Sequence, residues 1–167
     1  MNWLYAIVLR LVATRPGAVP AHHGEQARAA LMQIIRYGDQ QLAGQLHDNN
    51  ARKPYTVSLI EGHKRGKDGA LHFGPGDEAS WRFTLLWEPA FDAVLNRYLL
   101  REVQPHVRIG AVNFRIVEAL ANTGSHPECG SLPVVELEQR WLRDAADLPT
   151  KLTLSFRTPT ASTIGKG

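Results

Sequence analysis

Trp3-Leu4-Tyr5-Ala6-Ile7-Val8-Leu9-Arg10-Leu11-Val12 is a nearly unbroken apolar run of strand length, and its reading decides the fold. A strand without polar alternation is covered on both sides, so this one belongs at the centre of a sheet. Arg15-Pro16-Gly17-Ala18-Val19-Pro20 then reads as a turn held by two prolines. From His23 to Arg36 the apolar residues fall at Ala27, Ala30, Leu31, Ile34 and Ile35. That i, i+3, i+4, i+7, i+8 stripe predicts an amphipathic helix. Gly38 and Asp39 interrupt it, and Asp39 is placed to cap a second short helix through Leu42 to Leu46.

Tyr55 to Ile60 predicts a strand, and a glycine-rich basic segment with glycines at 62, 66, 69, 74 and 76 predicts a hairpin or loop. Ser80 to Trp87 alternates as a half-buried strand does. Pro89 suits the first turn of a helix whose stripe is Phe91, Val94, Leu95, Tyr98 and Leu99. Val107 to Leu120 reads as a strand region, Asn122 to Gly130 as a loop, Val134 to Arg143 as a short helix, and Lys151 to Phe156 as a last strand. The skeleton is strand, helix, strand, strand, helix, strand: an α+β domain with helices on one face of an antiparallel sheet. This β-α-β-β-α-β order is that of the ferredoxin-like fold. Residues 1–157 are expected to form this domain and residues 158–167, rich in Thr, Ser and Gly, a linker.

The bulk numbers narrow the class. A hydrophobic fraction of 44% over 167 residues is that of a globular domain. No apolar run approaches the ~20 residues of a membrane span, so no membrane partner is expected. The N-terminus lacks a basic leader and is expected to be the first strand, not a signal peptide. The single cysteine, Cys129, excludes an internal disulfide and fits a reducing cytoplasm. The net charge of +3 is mild, but its distribution is uneven. Arg52, Lys53, His63, Lys64, Arg65 and Lys67 crowd residues 52–67, with Glu61 the one acid there. Such a patch attracts a phosphate backbone.

Several motifs fail on context. Gly74-Pro75-Gly76-Asp77-Glu78-Ala79 has the letters of a dinucleotide fingerprint, but a strand follows it, not a helix. Residues 62–67 are too short for a P-loop. His22 and His23 are adjacent and diverge on a helix, and Cys129 with His126 lacks further partners. No metal and no cofactor is therefore expected.

The pattern that carries chemistry is Leu46-His47-Asp48-Asn49-Asn50-Ala51-Arg52-Lys53-Pro54. It lies where the helical region gives way to a strand. A histidine exchanges protons near neutrality, with an unperturbed pKa of ~6.5. A lysine six residues on offers a compact cation for a phosphate oxygen. The competing reading of His47 is a helix-terminal side chain on exposed carbonyls. Arg52 is expected to position backbone phosphate or to be solvated. Lys64, Arg65 and Lys67 are candidates for RNA backbone contact, with an exposed hairpin as the alternative. Trp81 and Trp87 share one strand face and are read as core before base-stacking groups. His22 and His23 are read as helix-start residues before catalytic ones.

Taken in order, Leu4–Leu9, Pro20–Gly24, Leu42–Asp48 ahead of Lys53–Ser58, Val107–Gly110 and Leu152–Thr160 resemble one family along the whole chain. It is the CRISPR repeat-processing endoribonucleases, the sixth-numbered Cas family of the RAMP superfamily, of which this chain resembles the N-terminal half. The resemblance implies a RAMP/RRM-like domain that binds precursor CRISPR RNA and cuts it once per repeat. The 2′-hydroxyl is the nucleophile, no metal is needed, and a cyclic phosphate is left. It implies catalytic roles for His47, as base or acid, and for Lys53. A tyrosine that some members carry on the first helix falls at Met32, which cannot replace it; Tyr37 is out of register. The expected partner is CRISPR repeat RNA. Other Cas proteins, a separate C-terminal half, or a second copy through an exposed apolar patch are further partners. The alternative reading is a non-catalytic RAMP-type RNA-binding subunit of an effector complex, or an inactive fragment.

Overall fold

The computed structural model describes residues 3–47, 53–62 and 65–143. The first strand, β1 (Trp3–Ala13), is central as its composition requires. Ile7, Leu9 and Leu11 point into the core at no more than 1% exposure. The predicted 15–20 turn contains a short strand, β2 (Gly17–Val19), which the flanking prolines confine to three residues. Helix α1 (Gly24–Gly38) buries all five residues of the predicted stripe, Ala27, Ala30, Leu31, Ile34 and Ile35. Helix α2 (Gln40–His47) follows after one residue, and the Asp39 carboxylate caps it by accepting the Leu42 N–H at 2.9 Å.

The expected 55–60 strand is broken. β3 (Tyr55–Val57) and β4 (Glu61–Gly62) both pair with β6 (Glu78–Leu85). Between them residues 58–60 oppose only residues 81 and 82, so one residue is extra and the strand bulges. The Ser58 hydroxyl bridges the bulge, donating to the Arg82 carbonyl at 2.9 Å. The basic segment is a hairpin closed by an Arg65–Leu71 bridge and leading into β5 (Leu71–Phe73), which pairs with β2. Helix α3 (Glu88–Val94) has Pro89 in its first turn and runs on into a π-helical turn, Leu95–Leu99. There the Tyr98 hydroxyl donates to the His106 carbonyl at 2.6 Å.

The 107–120 region is two strands, not one. β7 (His106–Ile109) and β8 (Val112–Leu120) form a hairpin across Gly110-Ala111. Gly110 has φ +60°, a conformation that favours glycine. After the 122–130 loop comes a strand the sequence pattern did not show, β9 (Gly130–Pro133), which covers the edge of β1 at Trp3–Ala6 that β8 leaves open. Helix α4 (Val134–Arg143) matches its expected span and buries none of its residues. The expected strand 151–156 and the boundary at 157/158 lie outside the described residues.

The sheet order is β3-β6-β1-β8-β7, all antiparallel. Leaving out the β7 extension, the strands of the β-α-β-β-α-β unit run second, third, first, fourth across the sheet. This is the ferredoxin-like arrangement. Helices α1 and α3 pack on the face that carries Trp81, Phe83 and Phe114, each at 1% exposure or less. Tyr5 stacks on Phe91 of α3, ring centroids 3.8 Å apart. Trp81 is thus core, as its alternation indicated. The other face is polar, with Thr56 bonded to Thr84 at 2.6 Å and Arg10 paired with Glu118 at 3.3 Å. Among the described residues no helix is long and apolar enough to cross a membrane.

His23, which precedes α1, is 2% exposed. Its Nδ1 donates to the Pro20 carbonyl at 2.6 Å and its Nε2 accepts the Ile60 N–H at 2.8 Å. It therefore fastens the start of α1 to the bulge, a structural part that exceeds capping. Burial lowers its pKa below the usual value, and a proton on Nε2 would oppose the Ile60 N–H. A folded pKa below the unfolded ~6.5 gives a contribution present in full above pH ~6.5 and lost as pH falls below it. In denaturant titrations wild type should exceed His23→Ala by roughly 1–3 kcal/mol at pH 7.5, and the gap should narrow on acidification. A gap independent of pH would contradict the neutral tautomer. A second test concerns Gly38, where a Cβ would overlap the Ala93 carbonyl oxygen of α3. Gly38→Ala should cost about 1–3 kcal/mol and lower the thermal midpoint; an unchanged midpoint would show that the two helices have room to part.

Candidate nucleic-acid interface

The path to His47 starts at the α1–α2 joint. Gly38 lets α1 touch the backbone of α3, and Asp39 turns the chain. One Asp39 oxygen caps α2; the other accepts from Arg97 Nη1 at 2.8 Å. Arg97 also pairs with Asp92 at 2.8 Å. The Asp92 carboxyl is held below its ordinary pKa, first by the Asn96 side chain and, more weakly, by Arg97. The start of α2 is thereby tied to α3 as well as to α1. Leu42, Ala43 and Leu46 bury the inner face of α2.

His47 ends α2 and is exposed. The Lys53 ammonium donates to the carbonyl of the preceding residue, Leu46, at 2.8 Å. The structure thus brings the two catalytic candidates to one helix end. It is Lys53, not His47, that takes a terminal carbonyl. Two other candidates, Arg52 and Lys64, lie outside the described residues.

His47 also lines a groove of about 770 Å³ between α1 and α2. Seven residues of α2 rise about 10 Å, as much as the stretch of α1 from Gly38 back to Met32, and Arg28, one turn further, lines the same groove as His47. Arg28, Met32 and Arg36 recur at i, i+4, i+8 and form one stripe on the groove wall. Among the described residues no acidic side chain lines the groove. Met32 is partly buried and packs against the core. Tyr37 stands at the far end, stacked on Tyr98 with centroids 5.5 Å apart. Arg28 and Arg36 escaped the sequence reading. Their spacing on α1 was visible, but which helix would face them was not.

Arg65 and Lys67 go elsewhere. Lys67 is at the exposed hairpin tip. Arg65 donates to the Gly69 carbonyl at 3.1 Å and lines a larger cleft of about 880 Å³ at the edge of the open sheet face. That cleft also holds Glu25, Glu61 and Glu128. Its charges are mixed, and a polyanion gains little there. The strand aromatics Trp3, Tyr5, Tyr55, Trp81, Phe83 and Phe114 belong to the core side, so among the described residues the rings that line the concavities on the open sheet face are the imidazoles of His22 and His126. No three His, Cys, Asp or Glu side chains converge among the described residues.

Known structures share this fold. A Cas6 (TTHB231) product complex superposes with a TM-score of 0.54 at 24% identity, over 83% of this chain and 47% of that one. A Cas6 (TTHA0078) product complex gives 0.53 at 24% identity, over 82% and 46%. A CRISPR associated protein Cas6 gives 0.50 at 20% identity, over 78% and 49%. The chain spans about half the length of these structures. No curated protein is significantly similar to it. Residues 3–132 match the model of the CRISPR Cas6 N-terminal domain, and by that match over most of its length the chain belongs to this family.

Proposed function

We propose that this chain acts in CRISPR RNA processing as an endoribonuclease that binds the repeat of the precursor and cuts within it. The observation that carries the reading is the α1–α2 groove, whose described lining brings Arg28, Arg36 and His47 together without an acidic side chain. Membership of the Cas6 family supports it.

Cleavage proceeds by in-line attack of the 2′-oxygen on the adjacent phosphorus. The 2′-hydroxyl loses its proton and the bond from phosphorus to the 5′-oxygen breaks. The leaving oxygen takes a proton, and a 2′,3′-cyclic phosphate and a 5′-hydroxyl result. No metal is required, because an imidazole can serve as base or acid. His47 is assigned that proton transfer. Its place on an exposed helix end supports that role. Lys53 keeps the terminal turn of α2 closed beside it. A binding subunit without cleavage is the competing reading.

Labelled repeat RNA incubated in EDTA, beside His47→Ala, separates these. Wild type should make one specific cut, and the variant should lose at least ~10²-fold in rate with RNA affinity within a few-fold. Equal cleavage by both would remove His47 from the mechanism. Binding without any cut, even after the C-terminal half of a relative is added in trans, would leave the binding-subunit reading.

A further inference from the structure

The proposed reaction needs a cation on the phosphate as charge develops, and the sequence reading assigned it to Lys53. That ammonium is already hydrogen-bonded at 2.8 Å to the Leu46 carbonyl, where it closes the end of α2. Arg28 is differently placed. It is half-buried on α1, on the wall of the groove that His47 also lines. Its neighbours orient it without neutralising it strongly. The buried Tyr55 hydroxyl lies beside the guanidinium without the geometry of a full hydrogen bond. Glu25 accepts from Nη2 at 3.3 Å, with its own side chain 84% exposed. So exposed a pair is weak, and a phosphate can take the carboxylate's place. The planar guanidinium suits two oxygens of one phosphate. Arg36, two turns further along the same stripe and about 12 Å away along the axis, faces the same groove. It makes no hydrogen bond or ion pair with the described residues.

We propose that Arg28 is a catalytic residue: it binds the scissile phosphate opposite His47 and stabilises its developing charge, while Arg36 holds a neighbouring backbone phosphate. The proposal rests on the ribonuclease reading. Arg28 neither gives nor takes a proton. The bonds made and broken are those already described, with one proton transfer left to His47, as base or acid, and the other to water.

The test pairs cleavage with a readout independent of it. Wild type, Arg28→Gln and Arg28→Lys are titrated with 2′-O-methyl repeat RNA, which cannot be cut, at several salt concentrations. Unmodified repeat RNA gives the single-turnover rate. Arg28→Gln should flatten the slope of log K against log salt by about 0.7, the share of one phosphate contact on a single strand. It should also slow cleavage by about 10²–10³-fold. Arg28→Lys should keep the slope yet remain at least tenfold slow, because an ammonium lacks the two-pronged fit. A wild-type slope in Arg28→Gln overturns the phosphate contact, whatever happens to the rate. A flattened slope with an unchanged rate overturns the catalytic role. If wild type binds but never cuts, the ribonuclease reading fails, the catalytic role falls with it, and the slope alone decides the phosphate contact. If wild type does not bind, both fall.

Discussion

The contact on which the rest depends is the joint at Gly38 and Asp39. Gly38 lets the end of α1 lie against the backbone of α3 at Ala93, which fixes α1 on the sheet. Asp39 then does two things with one carboxylate: it caps α2 and receives Arg97. A one-residue connection leaves α2 few directions, and the buried Leu42 and Leu46 select among them. The groove and the position of His47 follow. A side chain at the end of a short helix is only as well placed as the start of that helix. Here the start is tied to two other helices.

The ferredoxin-like sheet supplies the platform but not the site. Its central strand is paired along both edges, by β6 on one side and by β8 and β9 on the other. Its aromatic side chains face the helices. The candidate residues Arg28, Arg36 and His47 lie instead on α1 and α2.

Local signals in the chain were legible, and distant pairings were not. The α1 stripe, the Asp39 cap, Pro89 and the span of α4 each depend on neighbours within a few residues. The β2–β5 pair, the bulge at Ser58–Ile60 and the strand β9 depend on partners tens of residues away, and three- or four-residue strands carry little propensity of their own. Gly110 did mark the β7–β8 hairpin, but apolar residues on both sides hid the break. The same division holds at the site. His47 and Lys53 could be related by spacing alone. Arg28 could not, because its relation to His47 exists only once α2 has folded back along α1.

Charge, not size, separates the two concavities. The larger cleft places Arg65 and Arg82 among Glu25, Glu61 and Glu128, so its cations are compensated before any ligand arrives. Arg82 is further occupied by the Glu128 carbonyl, to which its Nε donates at 2.9 Å. The groove between α1 and α2 has Arg28, Arg36 and His47 with no acid among its described lining residues. The Glu25 carboxylate that Arg28 contacts at 3.3 Å is 84% exposed, where water screens it. The hairpin with Arg65 and Lys67 lies near the start of α1, toward the Arg28 end of the groove.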